Sequence, residues 1–408
     1  MKKLKLSIVF VFLFVVQILP QDRLKVPPAW PIAPEVWSEP VLLDSVFIYP
    51  FSSIESSALT PNFDTIYFAK GALYSSVKTN GKWEEPKKLN SNINVGAGVR
   101  DCSISKDGRR LYFSGYGGYG AWDIWYSDID SNTNDWGPGY NMGPQINSAS
   151  NDAYFYEVSK DTAYVLQCWT MINYYIYNNQ INQWSKIDSF WYHPLGGVEM
   201  YGVSITKDKK KMYFGRFRYD NWIYDLGVCY WDSSSNQWGS MYNLNINTEA
   251  IKVGNVYRRG AEFYPWISGD GKKMVFSSNR DASLEPNSSS ASSLYISYLL
   301  IDENGDTVTT VEDKTSSQPK DFTLQQNYPN PFNPATTISY SIKNDGYVKL
   351  IIYDSIGRKI TELVNEFKNK GEYTIHFDSQ KLKLASGTYY YQLIHNNDFL
   401  VKKMMLTK

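Results

Sequence analysis

Five carboxylates recur in this chain, each a few residues before a polar turn. They are Glu55, Asp101, Asp152, Glu199 and Glu262. Grouped carboxylates repel one another, which raises some of their pKa values. Such a group offers two chemistries: its oxygens are ligands for calcium, and two carboxylates at a defined separation supply the acid and base of glycoside hydrolysis. In a third interpretation, which we favour, each acid belongs to a repeated unit and hydrogen-bonds backbone donors of the neighbouring unit.

Few other residues point to chemistry. The chain of 408 residues has three histidines. His376 and His395 lie in its last segment, so only His193 remains in the main body. A multi-histidine metal site is excluded there, and neither a nucleophile elbow nor a glycine-rich phosphate loop supports a triad built on His193. The 41 basic and 41 acidic residues balance, so nucleic acid is not expected as a partner.

The three cysteines also give little indication of a site. Cys102, Cys168 and Cys229 are far apart and lack CxxC spacing, so neither a zinc ribbon nor a redox pair is predicted. We expect small buried residues or free thiols. One disulfide among the three stays open as an alternative in an oxidising compartment.

The elements that hold the acids are repeated. A Ser or Thr, a polar turn and an alternating strand occur five times, as "TPNFDTIYF" from Thr60, "SKDGRRLYF" from Ser105, "SKDTAYVL" from Ser159, "TKDKKKMYF" from Thr206 and "SGDGKKMVF" from Ser268. Asp-Gly turns between alternating runs predict hairpins. After each of the first four turns a tryptophan opens a further strand. These are Trp83, Trp136, Trp184 and Trp238, about fifty residues apart.

Strands at this period, without an amphipathic helix, predict the blades of a β-propeller. The fifth unit has no downstream tryptophan strand, but "WSEPVLL" from Trp37 is a matching copy that precedes the first unit. We therefore predict an all-β fold: a five-bladed propeller over residues 37–300, closed by its N-terminal strand and preceded by a lead-in over 22–36. If the first strand of each blade is innermost, the five acids lie near one mouth of the central channel.

The repeats resemble a known family. "SISKDGRRLYFSGYGGYGAWDIWYSD" and "PWISGDGKKMVFSSNRD" look like the WD-like repeat of TolB-type propellers. The resemblance covers roughly residues 37–300 and implies a propeller fold. It is weakest in the third unit, which lacks the turn glycine, and the insert "SLEPNSSSASS" departs from it as a surface loop.

The tail differs from the repeats. Residues 301–321 are polar and predict a flexible, protease-accessible linker. From residue 322 to 408, a proline-rich lead-in precedes alternating strands punctuated by Gly357, Gly371 and Gly387. Short antiparallel strands over such a length predict a small Ig-like β-sandwich.

This tail resembles the type A C-terminal sorting domain of the type IX secretion system. The matching pieces are "NYPNPFNP", with Tyr328, Pro329, Asn330 and Pro331, then "IYDSIGRKITELV", "GEYTIHFD", "LASGTYYYQL" and "KKMMLTK", with Lys402 and Lys403. The resemblance implies export through the type IX machinery, followed by removal of the tail and surface anchoring or release. The alternative is an ordinary Ig-like binding module.

The first residues predict a targeting segment. Lys2, Lys3 and Lys5 precede the apolar stretch "LSIVFVFLFVVQIL", which is short for a membrane span. We expect residues 1–21 to be a signal peptide, with an uncleaved anchor as the alternative. The expected location is the cell surface or medium of a Gram-negative-type bacterium, with no stable membrane span after processing.

Two classes of function fit these expectations. The first is a non-catalytic secreted propeller that binds a protein, a glycan or an envelope polymer. The second is a secreted glycosidase that uses two or three of the five acids. We favour the first, because the acids occupy repeat positions and no unit stands out. No cofactor is expected apart from the calcium that a ring of carboxylates could hold.

Overall fold

The computed structural model describes most of the chain and shows an all-β protein. The described residues are 31–47, 54–94, 98–168, 171–191, 198–218, 223–247, 251–253, 256–258, 261–280, 292–308, 322–396 and 398–408. The targeting segment, most of the lead-in, His193 and most of the linker lie outside these ranges. Within them a 3-10 helix spans Ser45–Phe47, and no helix is long and apolar enough to cross a membrane.

The strands of residues 31–308, which we call the five-sheet unit, follow the predicted repeats. They are β1 (Val36–Trp37), β2 (Val41–Leu42), β3 (Ser56–Leu59), β4 (Thr65–Ala69), β5 (Leu73–Thr79), β6 (Lys82–Trp83), β7 (Lys87–Lys88), β8 (Val99–Ile104), β9 (Arg110–Tyr116), β10 (Trp122–Asp128), β11 (Tyr140–Asn141), β12 (Asp152–Ser159), β13 (Thr162–Gln167), β14 (Met171–Asn178), β15 (Gln183–Trp191), β16 (Val198–Ile205), β17 (Lys211–Arg218), β18 (Ile223–Asp232), β19 (Gln237–Asn243), β20 (Ile251–Val253), β21 (Val256–Arg258), β22 (Glu262–Ile267), β23 (Lys273–Ser278) and β24 (Ser293–Ile301).

These strands form five antiparallel sheets in chain order. The sheets are β3-β4-β5-β6 with β7 also on β5, then β8 to β11, β12 to β15, β16 to β19, and finally β22-β23-β24 with β1 and β2 on β24. Strands β20 and β21 make a separate hairpin. Each predicted Ser/Thr turn joins the first and second strands of one sheet.

The first strands of the five sheets contact one another in a closed order. β3 contacts β8, β8 contacts β12, β12 contacts β16, β16 contacts β22, and β22 contacts β3. The fifth sheet therefore meets the first, and the starts of the five sheets share one central region.

The repeated tryptophans join neighbouring sheets. Trp136 of the second sheet meets Tyr67 of the first edge-to-face, with ring centroids 5.4 Å apart. Trp238 of the fourth sheet meets Tyr164 of the third in the same way, at 6.4 Å. Because a sheet with one uncovered apolar face is unstable in water, these rings help to explain the tryptophan period in the sequence.

The N-terminal segment pairs with the fifth sheet, as predicted for "WSEPVLL". Trp37 is opposite Leu299 and Val41 is opposite Ile296, both on β24. The Trp37 side chain is fully buried. Its Nε1 donates to the buried carboxylate of Glu35 at 2.8 Å, so the segment is held by polar contacts as well as by strand pairing.

The tail domain, residues 322–408, consists of two facing sheets. Its strands are β25 (Thr323–Leu324), β26 (Ala335–Ile342), β27 (Gly346–Asp354), β28 (Lys359–Lys368), β29 (Gly371–Asp378), β30 (Gly387–His395) and β31 (Asp398–Leu406). One sheet has the order β25-β26-β29 and the other β28-β27-β30-β31. A core that includes Ile338, Phe377, Leu350 and Leu393 lies between them.

The tail domain also packs on the five-sheet unit, which the sequence analysis treated as separate from it. A single buried cluster contains Trp37 and Leu299 of the unit and Ile351 and Phe399 of the tail domain. The reason is visible in β27 and β30, where long runs are buried without alternation. A strand that is apolar on both faces needs cover on both. We call this interface the seam.

Polar contacts at the seam involve the turn of "DSIGR". The Asn245 amide donates both to the carbonyl oxygen of Trp37, at 2.7 Å, and to that of Ile356, at 2.9 Å. Gly357 has φ +83, and a Cβ there would lie 2.1 Å from the Trp37 carbonyl oxygen. The glycine of this sorting motif is thus also required by the close approach of the turn to the N-terminal strand.

Candidate binding site

The five sequence-predicted acids all lie at the N-terminal ends of the first strands. Glu55 immediately precedes β3. Asp101 lies in β8, Asp152 opens β12, Glu199 lies in β16 and Glu262 opens β22. Because these strands contact one another around the central region, the acids are placed near its rim.

The acids are not structurally equivalent, contrary to the expectation that they occupy one repeat position. Four first strands carry a register shift. At each shift one residue has a positive φ: Asp101, Tyr154, Gly202 and Tyr264. Asp101 is itself such a residue, whereas Asp152 and Glu262 precede theirs by two positions and Glu199 by three. A short bulge moves a side chain to a new position, and spacing to the turn does not reveal it.

Asp152 and Glu262 fasten their own sheets. Both side chains are fully buried. Asp152 accepts from Gln167 Nε2 at 2.7 Å, and Glu262 accepts from Ser278 Oγ at 3.1 Å and Arg280 at 3.2 Å. Gln167 and Ser278 are the strand partners opposite these acids. Their role is structural, as we favoured, but the bonds described here tie strands within one sheet.

Glu199 contacts an aromatic group. Tyr201 donates its hydroxyl proton to Glu199 Oε2 at 2.6 Å. The Tyr201 ring meets Tyr224 and Tyr264 edge-to-face, at 5.2 and 6.0 Å, and Phe263 joins them through Tyr224 at 5.6 Å. Burial, followed by the Glu199 carboxylate, raises the pKa of Tyr201, so this tyrosine remains a hydrogen-bond donor at neutral pH.

Glu55 and Asp101 form an acid pair beside Arg100. The Asp101 side chain is buried, and its Oδ2 lies 3.4 Å from Arg100 Nε. Burial raises the pKa of Asp101, and the Arg100 charge partly offsets this. Burial, followed by the Asp101 charge, raises the pKa of Glu55 to about 7. Arg100 also lies on the ring of Trp122, 3.9 Å from its centroid.

The acid pair does not extend to a metal site in the part of the chain that the structure describes. Within the described ranges, no three or more His, Cys, Asp or Glu side chains form a group that could hold an ion. The calcium hypothesis therefore has no support from these residues. All three cysteines are free, with Cys102 and Cys229 buried and Cys168 exposed.

The sequence reasoning missed the aromatic side chains around this region. Besides Tyr201, Tyr224 and Phe263, the second sheet presents Tyr116, which is 54% exposed and meets Trp122 at 5.7 Å. "YGYGGYGAW" and "EFYPW" carried the signal, since bulky aromatics flank the strand ends there. Rings of this kind offer flat apolar faces next to hydrogen-bonding groups.

The Glu55→Gln variant should change how stability depends on pH. Glu55 has a folded pKa of about 7, above its ordinary value of 4.5. Between these values the folded state binds more protons than the unfolded state, so stability falls as pH rises through that window. Glutamine removes this loss. We expect equal melting temperatures at pH 4 and a more stable variant at pH 8, by about 1–3 kcal/mol.

Thermal unfolding at pH 4, 6 and 8 measures this effect. The exposed Glu85→Gln variant is the control, and it should follow the parent protein throughout. A Glu55→Gln protein that also follows the parent at pH 8 would show that Glu55 is ionised without cost in the folded state.

The sorting-motif residues lie on or beside the tail-domain strands. Tyr328 is 81% exposed, and the side-chain oxygen of Asn330 accepts from the backbone of Met405 at 2.8 Å. Pro329 and Pro331 lie in the same loop, Gly357 lies at the seam, Gly371 and Gly387 open β29 and β30, and Lys402 and Lys403 lie in β31.

Comparison with known families identifies the tail. Residues 326–407 match the secretion system C-terminal sorting domain. A sorting domain is therefore present, as the motifs indicated, and it supports export by type IX secretion and a secreted or cell-surface location. No curated protein matches the chain at a significant level.

Solved structures similar to this chain include several propeller proteins. The periplasmic gluconolactonase PpgL of Pseudomonas aeruginosa is 10% identical over 60% of this chain and 85% of its own, with a TM-score of 0.35. The RRP9 WD40 repeats are 10% identical over 65% and 99%, with a TM-score of 0.35. TolB from Acinetobacter baumannii is 15% identical over 61% and 54%, with a TM-score of 0.33.

Proposed function

We propose that residues 37–300 form a five-bladed β-propeller closed by the N-terminal strand, and that residues 322–408 form an Ig-like domain after a linker at 301–321. The closed order of contacts among β3, β8, β12, β16 and β22 supports five blades. The pairing of β1 with β24 supports the closure. The two facing sheets of the tail domain support the Ig-like assignment.

We further propose a two-step export route. Residues 1–21 act as a signal peptide for the inner membrane, and the sorting domain then engages the type IX machinery. The protein acts at the cell surface or after release. The matched sorting domain supports this route.

The function that we propose is non-catalytic binding of a glycan, a protein or an envelope polymer at the mouth of the propeller. One observation carries it: aromatic rings and the Arg100–Asp101–Glu55 group lie together at the starts of the first strands. Arg100 over Trp122 combines a fixed charge with a flat ring. Among these ligands, a glycan fits best, because sugar faces pack on aromatic rings and sugar hydroxyls hydrogen-bond charged groups.

The glycosidase alternative rests on fewer acids than the sequence offered. Glycoside hydrolysis needs two carboxylates that both reach the substrate. Asp152 and Glu262 are buried and engaged within their sheets, and Asp101 is buried. Glu55 remains as a candidate general acid, because its pKa of about 7 lies near neutral pH.

A glycan and polysaccharide binding screen on the full chain tests the proposal, with release of reducing sugar measured in parallel. Replacing Trp122 with alanine should weaken binding of any positive glycan about tenfold, since a stacked ring contributes about 1–3 kcal/mol in comparable sites. The control is Tyr140→Ala on the outer strand of the same sheet, where the ring is 51% exposed.

Two results would contradict the binding proposal. If Trp122→Ala and Tyr140→Ala bind equally well, the mouth is not the site. Release of sugar from a polysaccharide that is lost in Glu55→Gln, Glu199→Gln or Asp101→Asn, but retained in the other acid variants, would establish the glycosidase instead.

A further inference from the structure

A second cavity lies at the seam, away from the first-strand ends. Its volume is about 920 Å³. The five-sheet unit contributes residues of β2, β5, β6 and β24, and the tail domain contributes residues of β27, β28 and β30. Because both parts supply walls, the cavity exists only while the tail domain is docked.

Lysines dominate the charged lining of this cavity. Lys78, Lys82, Lys273 and Lys349 line it, against Asp44 and Asp345. Lys78 and Lys273 approach the same ring: each Nζ lies 5.2 Å from the centroid of Phe63. Two cations that share one ring in a half-buried place favour an anion between or beside them.

The electrostatics of the two lysines agree with this geometry. Burial, followed by the Lys273 charge, lowers the pKa of Lys78 to about 8, although Asp44 opposes the shift. Burial also lowers the pKa of Lys273, against Asp270 and Asp398. A bound anion would favour the charged form of both lysines.

Aromatic side chains supply the remaining lining. Trp83 and Tyr298 belong to the five-sheet unit, and Tyr347 and Phe367 to the tail domain. Tyr347 and Phe367 are opposite each other on β27 and β28 and are 49% and 61% exposed. Two neighbouring exposed rings beside a basic cavity form a surface that suits a sugar ring better than a bare inorganic ion.

We propose that the seam cavity binds an acidic carbohydrate, with its carboxylate or sulfate near Lys78 and Lys273 and its sugar faces on the surrounding aromatic rings. The site is separate from the propeller mouth and does not depend on the function proposed for it. Because its walls come from both parts of the chain, the ligand should also stabilise docking of the tail domain.

Calorimetric titration of the full chain with trigalacturonate tests this proposal, with a neutral galactose trisaccharide and inorganic sulfate as parallel ligands. We expect trigalacturonate to bind and to raise the melting temperature, and the other two to bind at least tenfold more weakly. Lys78→Gln and Lys273→Gln should each weaken trigalacturonate binding at least tenfold. The exposed Lys88→Gln control and the mouth variant Trp122→Ala should bind it normally.

Protection from acylation gives a second measurement on the unmodified protein. Trigalacturonate should slow acylation of Lys78, detected by mass spectrometry of peptides, without slowing that of Lys88. Equal binding of sulfate and trigalacturonate would reduce the site to an anion site and overturn the proposal. So would normal binding in both lysine variants, or loss of binding in Trp122→Ala alone.

Discussion

Deletion of residues 322–408 is expected to stop export and to leave the five-sheet unit in the periplasm. The deleted part contains the whole of the matched sorting domain, residues 326–407. Without it the type IX machinery has no address to recognise, whereas the first export step uses the N-terminal segment and should continue. Immunoblotting of periplasm, cell surface and medium measures the distribution.

The seam calls for a control in this experiment. Truncation uncovers Trp37, Leu299 and their neighbours, which pack on the tail domain, so the truncated protein is also expected to be less stable. Fusing residues 309–408 to an unrelated periplasmic protein separates the two effects. The fusion should be exported. Normal surface levels of the truncated protein, or a fusion that stays in the periplasm, would contradict the sorting assignment.

Replacement of Trp37 with alanine should produce the largest loss of stability from a single residue that we expect. The side chain is fully buried, meets Tyr213 edge-to-face at 5.8 Å and donates to Glu35. Removing a buried tryptophan costs about 3–5 kcal/mol, and the Glu35 carboxylate loses a donor in a buried place. A fall in melting temperature of roughly 10 °C should follow.

Ile32→Ala is the matched control, because Ile32 belongs to the same segment and is 61% exposed. It should unfold close to the parent temperature. A protein that begins at Val41 should lose as much stability as Trp37→Ala, or more, and should aggregate through the uncovered edge of β24. Parent-like melting of either Trp37→Ala or this shortened protein would show that the N-terminal strand does not hold the sheet.

Much of this architecture was readable from the sequence, because the signals are local. Turn residues such as Asp107 and Gly108 determine where a hairpin reverses, and alternation over a few residues determines which face is apolar. The missing fifth tryptophan strand predicted that "WSEPVLL" pairs with the last unit, and the structure shows that pairing. The tail was recognisable for another reason: its proline-rich and terminal motifs are specific and occur in order.

The tertiary structure alone decided what the acids do. Spacing to the turn made Asp101, Asp152 and Glu262 look alike. A register shift places Asp101 at the bulge, beside Arg100 and Glu55, and leaves the other two bonded within their sheets. Strand register depends on contacts between distant segments, and one added residue redirects a side chain. No local pattern records that change.

The seam was also decided by tertiary structure. The runs "VKLIIYD" and "TYYYQLIH" showed that two tail strands are apolar on both faces, which requires a covering surface but does not say which one. The partner is chosen by shape, through the close approach of Gly357 to the Trp37 carbonyl oxygen and the two bonds from Asn245. The sequence by itself determined the strands, the repeats and the export address. Contacts between residues far apart in the chain determined the acid pair and the docked tail, because hydrophobic burial is not directional and leaves the choice of partner to geometry.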